Sequence, residues 1–284
     1  MILFEDRAST VLYKALSTIE NKKFLLPLNI CPIVPDTLLK ANKEFEFIDI
    51  SLNTLCMNQN KALKKIQDDN SIDGILFVKT FGIEFNIQPF YKKIKEINNN
   101  VFIIDDMCLC APKFDYDIEN SYADMSIFSS GYSKYVDIGY GGYGFIEDKK
   151  FRKNFQDTSK NKYFLEYKKT IIDRMKPIKM HKDELNCIYK ANIPRKYHLG
   201  NEFTNWRFSF LADNKDEILQ AIFNKENLFA SSHYPQIDYE YKDNPMQNSN
   251  VNKIHKNIIN LFNDFRFTKE QAYLVTEIVK QHIR

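Results

Sequence analysis

The sequence predicts an α/β protein, in which a mostly parallel sheet is covered by helices on both faces and a smaller C-terminal α+β domain follows. Short apolar runs without polar alternation recur in the first 150 residues, as expected for strands that are buried on both faces of a sheet. Segments with apolar residues three or four positions apart separate these runs, which indicates amphipathic helices. Strands that alternate with helices favour parallel pairing, because each crossover helix packs back onto the sheet.

The elements of this first part follow an opening helix at residues 8–21, where apolar residues recur at helical spacing. The strands are predicted at residues 24–28, 45–50, 74–81, 101–106 and 125–128. The helices between them are predicted at residues 34–43, 60–69 and 88–97. Pro35 suits the start of the first of these helices, because proline lacks the N–H group that the first turn does not use.

The character of the chain changes after the apolar segment 143–148, which predicts three regions. These regions are a larger α/β domain at residues 1–150, one or two linker helices at residues 151–200, and a smaller domain at residues 201–284. Within the smaller domain, a strand is predicted at residues 205–211 and helices at residues 215–224 and 268–283. Thr268, followed by Glu270 and Gln271, is typical of a helix start.

Composition and charge exclude several classes of function. The 40 basic and 37 acidic residues give a formal charge of +3, which predicts neither a nucleic-acid-binding stripe nor a polybasic membrane patch. We find no signal-peptide pattern and no run of the ~18 apolar residues that a membrane span needs, so we expect a cytoplasmic protein. The five cysteines, with Cys108 and Cys110 as the only close pair, lack the spacing of a disulfide framework or of a metal site.

Two polar segments are predicted to meet at the carboxyl ends of the strands, where open parallel sheets bind their ligands. Asp105 and Asp106 end the strand at residues 101–106, and Lys134 follows the next strand by a short loop. Four of the eight glycines lie between Gly131 and Gly142, around that lysine. The flexible backbone is therefore concentrated where the ligand site is expected.

An acid and a lysine in this arrangement have three interpretations, which the residues alone leave open. They form a salt bridge without a ligand, they bind magnesium and a phosphate, or they bind pyridoxal phosphate. The magnesium interpretation is disfavoured because no GxxxxGK[ST] loop is present. Pyridoxal phosphate requires a lysine for a Schiff base, an acid beside the pyridine nitrogen, and hydroxyl groups or a helix N-terminus around the phosphate.

Several segments resemble the DegT/StrS-type sugar aminotransferases. In ADMSIFSSGYSKYVDIGYGG, an aspartate, a phenylalanine-serine pair, the cofactor-binding lysine and a glycine pair follow at that family's spacings. VFIIDDM resembles the family's strand ending in Glu-Asp-Ala, whose second acid contacts the pyridine nitrogen. VKTFGIEFNIQPF matches a glycine-containing turn at Gly82, ASTVLYKAL falls on the first-helix pattern, and residues 254–283 resemble the end of the small domain.

This resemblance implies a fold type I, aspartate-aminotransferase-like subunit with pyridoxal 5'-phosphate as cofactor, usually a homodimer. It implies that Lys134 binds the cofactor and then carries protons, and that Asp106 contacts the pyridine nitrogen. It places Ser129, Ala8 and Ser9 at the cofactor phosphate. Ser9 is equally well explained as a residue that caps the first helix.

His233 and Tyr234 are predicted to contact the substrate, because they fall where the family's small domain faces it. Arg207 is predicted to bind an acidic or phosphorylated group of the substrate. A loop histidine, a packed tyrosine and an ion-paired arginine explain the same residues without a substrate. Trp206, the only tryptophan, is expected to serve packing.

The chain also departs from the family pattern. Ala8 stands where the family has glycine, and Cys108 and Leu109 stand where it has alanine and a polar residue. Residues 28–31 lack the aromatic residue that stacks on the pyridine ring, and no histidine-proline pair precedes Lys134. The chain is shorter after the glycine pair, and the family's Asn-Tyr-Arg segment at the dimer interface is missing.

Three functions therefore remain open. The first is an aminotransferase that moves an amino group from a donor such as glutamate to a keto sugar nucleotide or a small phosphorylated ketone. The second is a non-catalytic relative that acts as a binding or regulatory protein. The third is a lyase that retains the Schiff base, because the reaction depends on a bond geometry that the sequence does not specify.

Overall fold

The structure is a computed structural model that describes residues 1–115, 121–146, 152, 153 and 155–284. Residues 147 and 148, the last two of the predicted segment 143–148, lie outside these ranges. Residues 151 and 154, at the start of the predicted linker, also lie outside them. None of the described helices combines the length and the apolar character needed to cross a bilayer.

Strands and helices alternate through the first half of the chain. The strands are β1 (Ile2–Glu5), β2 (Lys23–Pro27), β3 (Glu44–Ile48), β4 (Gly74–Val78), β5 (Phe102–Asp106), β6 (Met125–Ser129), β7 (Gly142–Ile146), β8 (Phe208–Leu211), β9 (Ala230–Ser231) and β10 (Ile258–Leu261). The α-helices are α1 (Ala8–Thr18), α2 (Ile33–Lys40), α3 (Gln59–Asp68), α4 (Gln88–Ile97), α5 (Lys162–Asn192), α6 (Lys215–Phe223), α7 (Asn250–His255) and α8 (Lys269–His282).

The larger sheet has seven strands in the order β1-β7-β6-β5-β4-β2-β3. Neighbouring strands pair in parallel from β6 through β5, β4 and β2 to β3. Strand β7 is antiparallel to both of its neighbours, β6 and β1. Every residue of β4, β5, β6 and β7 is buried, so neither face of the central strands is open to solvent. The predicted fold class is confirmed, with an antiparallel edge that the sequence analysis did not anticipate.

The helix α1 lies close to the antiparallel edge. It begins three residues after β1 and packs against β6, β7 and α2 through Val11, Leu12, Ala15 and Leu16. These residues are the apolar stripe that the sequence predicted for the opening helix. Their burial fixes the N-terminal turn of α1 beside the carboxyl end of β6.

One continuous helix, α5, occupies most of the predicted linker. Its first half contributes Phe164, Tyr167 and Ile171 to an aromatic cluster under β6 and β7. Its second half contributes Leu185 and Tyr189 to the core of the C-terminal part. The helix therefore belongs to two hydrophobic cores and connects them.

The C-terminal part is built on a second, antiparallel sheet with the order β8-β10-β9. Helices α6 and α8 pack together over its core. Thr268 accepts a hydrogen bond from the Gln271 backbone, while the Gln271 side chain accepts one from the Thr268 backbone. This capping box confirms the helix start that was predicted at Thr268.

Candidate active site

A cavity of about 430 Å³ lies at the carboxyl ends of the central strands. Val78, Asp106 and Ser129 reach it from the ends of β4, β5 and β6. The N-terminal turn of α1, the loop between β6 and β7, and residues 29–31 after β2 complete its walls. Of the residues predicted to bind a cofactor or substrate, the cavity brings together six: Lys134, Asp106, Ser129, Ala8, Ser9 and Tyr234.

Lys134 lies on the loop that joins β6 to β7, and its side chain lines the cavity. Among the described residues, its amine has no hydrogen-bond acceptor and no carboxylate within ion-pair distance. The preceding residue, Ser133, has a φ of 60°, in the left-handed region that side-chain-bearing residues seldom adopt. The Lys134 amine is therefore free to contact a ligand. The loop that carries it has an unusual backbone conformation directly before the lysine.

Asp137 organises this loop from within. Its carboxylate accepts hydrogen bonds from the Ser133 N–H at 2.7 Å and from the Gly139 N–H at 2.9 Å. The guanidinium of Arg266, from the C-terminal part, lies 3.2 Å from the same carboxylate. The buried Asp137 thus ties both sides of the Lys134 turn to one point.

Asp106 supplies the second charged group of the cavity. Its carboxylate is buried and accepts a hydrogen bond from the Cys108 N–H at 2.9 Å. No lysine, arginine or histidine of the described chain lies within ion-pair distance of it. Burial, and the nearby Asp106 carboxylate, raise the pKa of the Cys108 thiol, so this cavity-lining thiol stays protonated.

Asp105, the neighbouring acid, does not line the cavity. Its side chain is buried, and its Oδ1 atom has no hydrogen-bond partner among the described residues. Burial raises the pKa of this carboxyl to about 6. The alternation of side chains along β5 therefore separates the two acids that the sequence left equivalent in position.

The N-terminal turn of α1 offers donors at the other end of the cavity. Arg7, at the N-cap position, makes no side-chain capping bond, and no described residue accepts a hydrogen bond from the N–H groups of Ala8 and Ser9. The Ser129 hydroxyl, at the end of β6, lines the same cavity. Free N–H groups at a helix start together with hydroxyls suit an anionic group such as a phosphate.

Two of the glycines around Lys134 are required by geometry. A Cβ atom on Gly142 would lie 2.1 Å from the Ala8 nitrogen, so only glycine allows β7 to approach α1 this closely. Gly141 has a φ of 92°, and a Cβ atom there would lie 2.3 Å from the Tyr167 ring. These positions explain why the sequence concentrates glycine beside Lys134.

The cavity wall formed by Asn29, Ile30 and Cys31 carries no aromatic ring. Asn29 is a site residue that sequence reasoning passed over. Its amide nitrogen donates to the Leu55 carbonyl at 2.8 Å, but its buried Oδ1 atom has no partner among the described residues. The only sequence signal for it was an asparagine placed directly after a buried strand.

The three predicted substrate contacts differ in position. Tyr234 lines the cavity, whereas His233 and Arg207 are not among its lining residues. The Arg207 guanidinium is buried between the rings of Trp206 and Phe262, at 4.3 and 3.8 Å from their centroids, and donates to the Ser231 hydroxyl. Burial lowers the pKa of Arg207 to about 10, and burial together with the nearby Arg207 lowers the pKa of His233.

Solved structures with the same fold include several sugar aminotransferases. CalS13 from Micromonospora echinospora matches with a TM-score of 0.77 at 11% identity, covering 99% of this chain and 87% of CalS13. PseC from Helicobacter pylori, an aminotransferase involved in the biosynthesis of pseudoaminic acid, matches with a TM-score of 0.79 at 14% identity, covering 99% of this chain and 86% of PseC. The PMP form of Spr1654 from Streptococcus pneumoniae, named as a putative sugar aminotransferase, matches at 0.78 and 14%, covering 99% and 85%.

No protein-family model matches the chain, and no curated protein matches it. At identities of 11–14%, the three structures show that this chain has their fold.

Proposed function

We propose that this protein is a pyridoxal-phosphate-dependent aminotransferase related to the DegT/StrS-type sugar enzymes. One observation carries the proposal: the unpaired amine of Lys134 and the buried carboxylate of Asp106, which has no cationic partner in the described chain, line the same cavity. A salt bridge between these two groups was the simplest alternative, and no such ion pair forms. Proteins with this fold that are named as aminotransferases support the same conclusion.

The residues of the cavity fit this cofactor. Asp106 offers an uncompensated carboxylate for a protonated ring nitrogen, and the N–H groups of Ala8 and Ser9 with the Ser129 hydroxyl offer donors for a phosphate. When bound, pyridoxal phosphate would supply an electron sink and a carrier for the amino group. Structures with this fold include proteins described in PLP and PMP forms.

Each residue then has a separate task. Lys134 would hold the cofactor through Nζ, and the same atom would accept and return a proton as a general base and acid. The negative charge of Asp106 would keep the ring nitrogen protonated. Asn29 offers its unpaired Oδ1 atom as a further acceptor at the cavity wall.

The proposed substrates are an amino-acid donor, with glutamate as the first choice, and a keto sugar nucleotide or small phosphorylated ketone as acceptor. Tyr234, at the cavity wall, is the proposed substrate contact. Arg207 and His233 do not line the cavity; they contact Trp206 and stabilise Tyr234 through it. The names of the structurally similar sugar aminotransferases support a sugar acceptor.

We also propose that the protein is a cytoplasmic homodimer. Tyr132 and Tyr140 line the cavity and are 73% and 49% exposed, which suits contact with a second copy near the site. Light scattering of the purified chain tests this point. A single monomeric species at all concentrations would contradict it.

The proposed function is tested by cofactor attachment. We would purify the chain with added pyridoxal phosphate, record its visible spectrum, reduce it with borohydride and locate the modified peptide by mass spectrometry. We expect a yellow protein with the cofactor on Lys134, and bleaching by glutamate. Lys134→Ala should abolish the visible absorption, whereas Lys162→Ala, which removes a lysine side chain that is 84% exposed, should retain it.

The outcomes separate the open interpretations. A colourless native protein without modified Lys134 would contradict the proposal. Cofactor on Lys134 without bleaching by any amino donor would instead support the non-catalytic alternative, which the intact pair of Lys134 and Asp106 disfavours. Release of carbon dioxide from an amino acid would support the lyase alternative.

A further inference from the structure

Trp206 connects three segments that border the cavity. Its indole Nε1–H donates to the Ser133 carbonyl at 2.6 Å. Its ring stacks on His233 and on the cavity-lining Tyr234, at centroid distances of 5.4 and 5.9 Å, and lies 6.3 Å from Phe81. The side chain is 4% exposed, so these contacts are made away from water. The expectation that Trp206 serves only packing therefore omits its hydrogen bond.

That hydrogen bond falls on the residue directly before Lys134. Ser133 is held in the left-handed conformation, which is unfavourable for a residue with a side chain. Its N–H is fixed by Asp137 and its carbonyl by Trp206. Since Ser133 does not favour this conformation by itself, the two hydrogen bonds maintain the direction in which the chain enters Lys134.

Trp206 is itself anchored on its other side. The amine of Lys182, from α5, is 2% exposed and donates to the Trp206 carbonyl at 2.9 Å and to the Asn263 side chain at 2.8 Å. The Arg207 guanidinium lies over the indole ring at 4.3 Å. The indole is thus held by α5 and by the C-terminal part, through contacts that do not involve the loop.

We propose that Trp206 is a positioning residue for Lys134: its indole N–H holds the Ser133 carbonyl, and thereby sets the orientation of the lysine amine in the cavity. This inference deepens the proposed function and rests on it for the role of Lys134. Loss of the N–H alone should loosen the loop at residues 131–141 and leave the rest of the fold intact. A residue that merely packs would depend on ring shape and not on this N–H group.

The single tryptophan permits a test that changes one group in the full-length chain. Growth of a tryptophan auxotroph on β-(3-benzothienyl)alanine replaces the indole N–H by sulfur, whereas 5-fluorotryptophan retains the N–H, and both analogues enter only at position 206. Without cofactor, we would measure the rate of Lys134 acetylation relative to Lys162 and the hydrogen exchange of residues 131–141. With pyridoxal phosphate, we would measure the rate of cofactor loss on dilution.

We expect the sulfur analogue to change the Lys134 acetylation rate and to speed loop exchange and cofactor loss by about fivefold, the effect of one net hydrogen bond. The fluorinated protein should behave as the native protein does. Thr276→Val is a matched control, because it removes one hydrogen bond of a buried side chain, to the Tyr273 carbonyl at 2.8 Å, within α8 and outside the contacts of Trp206.

Equal acetylation and exchange rates in the two analogue proteins would overturn the inference, as would the same change in Thr276→Val. A native protein that binds no pyridoxal phosphate would refute the proposed function instead. The cofactor-free rates would still test the effect of Trp206 on the Lys134 loop in that case.

Discussion

Replacement of Gly142 by alanine should distort the cavity, because the added methyl group would displace the first turn of α1. A Cβ atom at this position would lie 2.1 Å from the nitrogen of Ala8 and 2.3 Å from its Cα atom. Both are backbone atoms, so no side chain can rotate away to relieve the contact. The start of α1, with the proposed phosphate donors of Ala8 and Ser9, must therefore move relative to β7.

The expected magnitude follows from that distance. Ordinary van der Waals contacts begin near 3.4 Å, so α1 and β7 must separate by roughly 1 Å at this point. Forced expansion of a packed interior typically costs about 1–3 kcal/mol. We expect the free energy of unfolding of Gly142→Ala to fall by about 2 kcal/mol and its affinity for pyridoxal phosphate to fall at least tenfold.

Urea denaturation of the cofactor-free proteins measures the first quantity, and a titration of the visible absorption measures the second. Gly131→Ala is the matched control on the same cavity. A Cβ atom there meets only the Ser129 hydroxyl at 3.7 Å, and Gly131 does not require the left-handed region. Its unfolding free energy should stay within about 0.5 kcal/mol of the native value. If Gly142→Ala were as stable as Gly131→Ala and bound the cofactor normally, the close approach of α1 to β7 would be refuted.

Three further predictions concern charged residues. Asp106→Asn should weaken pyridoxal phosphate binding at least tenfold in an absorption titration, while Asp105→Asn should not, and equal effects would contradict the separation of the two acids. The pKa of Asp105 is raised to about 6 in the folded protein, so the charge of this carboxylate costs stability above pH 6. As the pH falls from 6 to 4, the free energy of unfolding of the native protein relative to Asp105→Asn should rise by up to about 1.4 kcal/mol per pH unit. Urea denaturation at each pH measures this difference. Arg266→Ala should speed hydrogen exchange at the Ser133 and Gly139 amides a few-fold, since Arg266 pairs with Asp137, whereas Arg284→Ala should leave both amides unchanged.

Local sequence patterns predicted most of the larger sheet and its helices. Helix α4 spans Gln88–Ile97, the segment predicted, because the buried residues Phe90, Tyr91 and Ile94 recur at helical spacing. The strand β1 was missed because it is a four-residue edge strand whose partner lies far along the chain. Strand β10 (Ile258–Leu261) was missed because its short apolar run sits in a polar, asparagine-rich surrounding.

The candidate site was likewise predictable from the sequence only in part. The rule that ligands bind beyond the carboxyl ends of parallel strands was enough to bring Asp106 and Lys134 together. The rule does not extend to long-range contacts between single side chains. The hydrogen bond from Trp206 to Ser133 joins residues 73 positions apart, and no local pattern marks either partner.

The antiparallel pairing of β1 with β7 sets the order in which the cavity is assembled during synthesis. The segment that forms β1 and the start of α1 is made before β7, yet the Met1 amine donates a hydrogen bond to the carbonyl of Ile146, 145 positions later. The Asp6 carbonyl likewise accepts a hydrogen bond from the distant Gly141 N–H, at 2.7 Å. Contacts this distant carry a large loop-closure entropy and form late. β1 therefore has no partner strand until β7 has been made, and the cavity wall beside these two strands forms only after they pair.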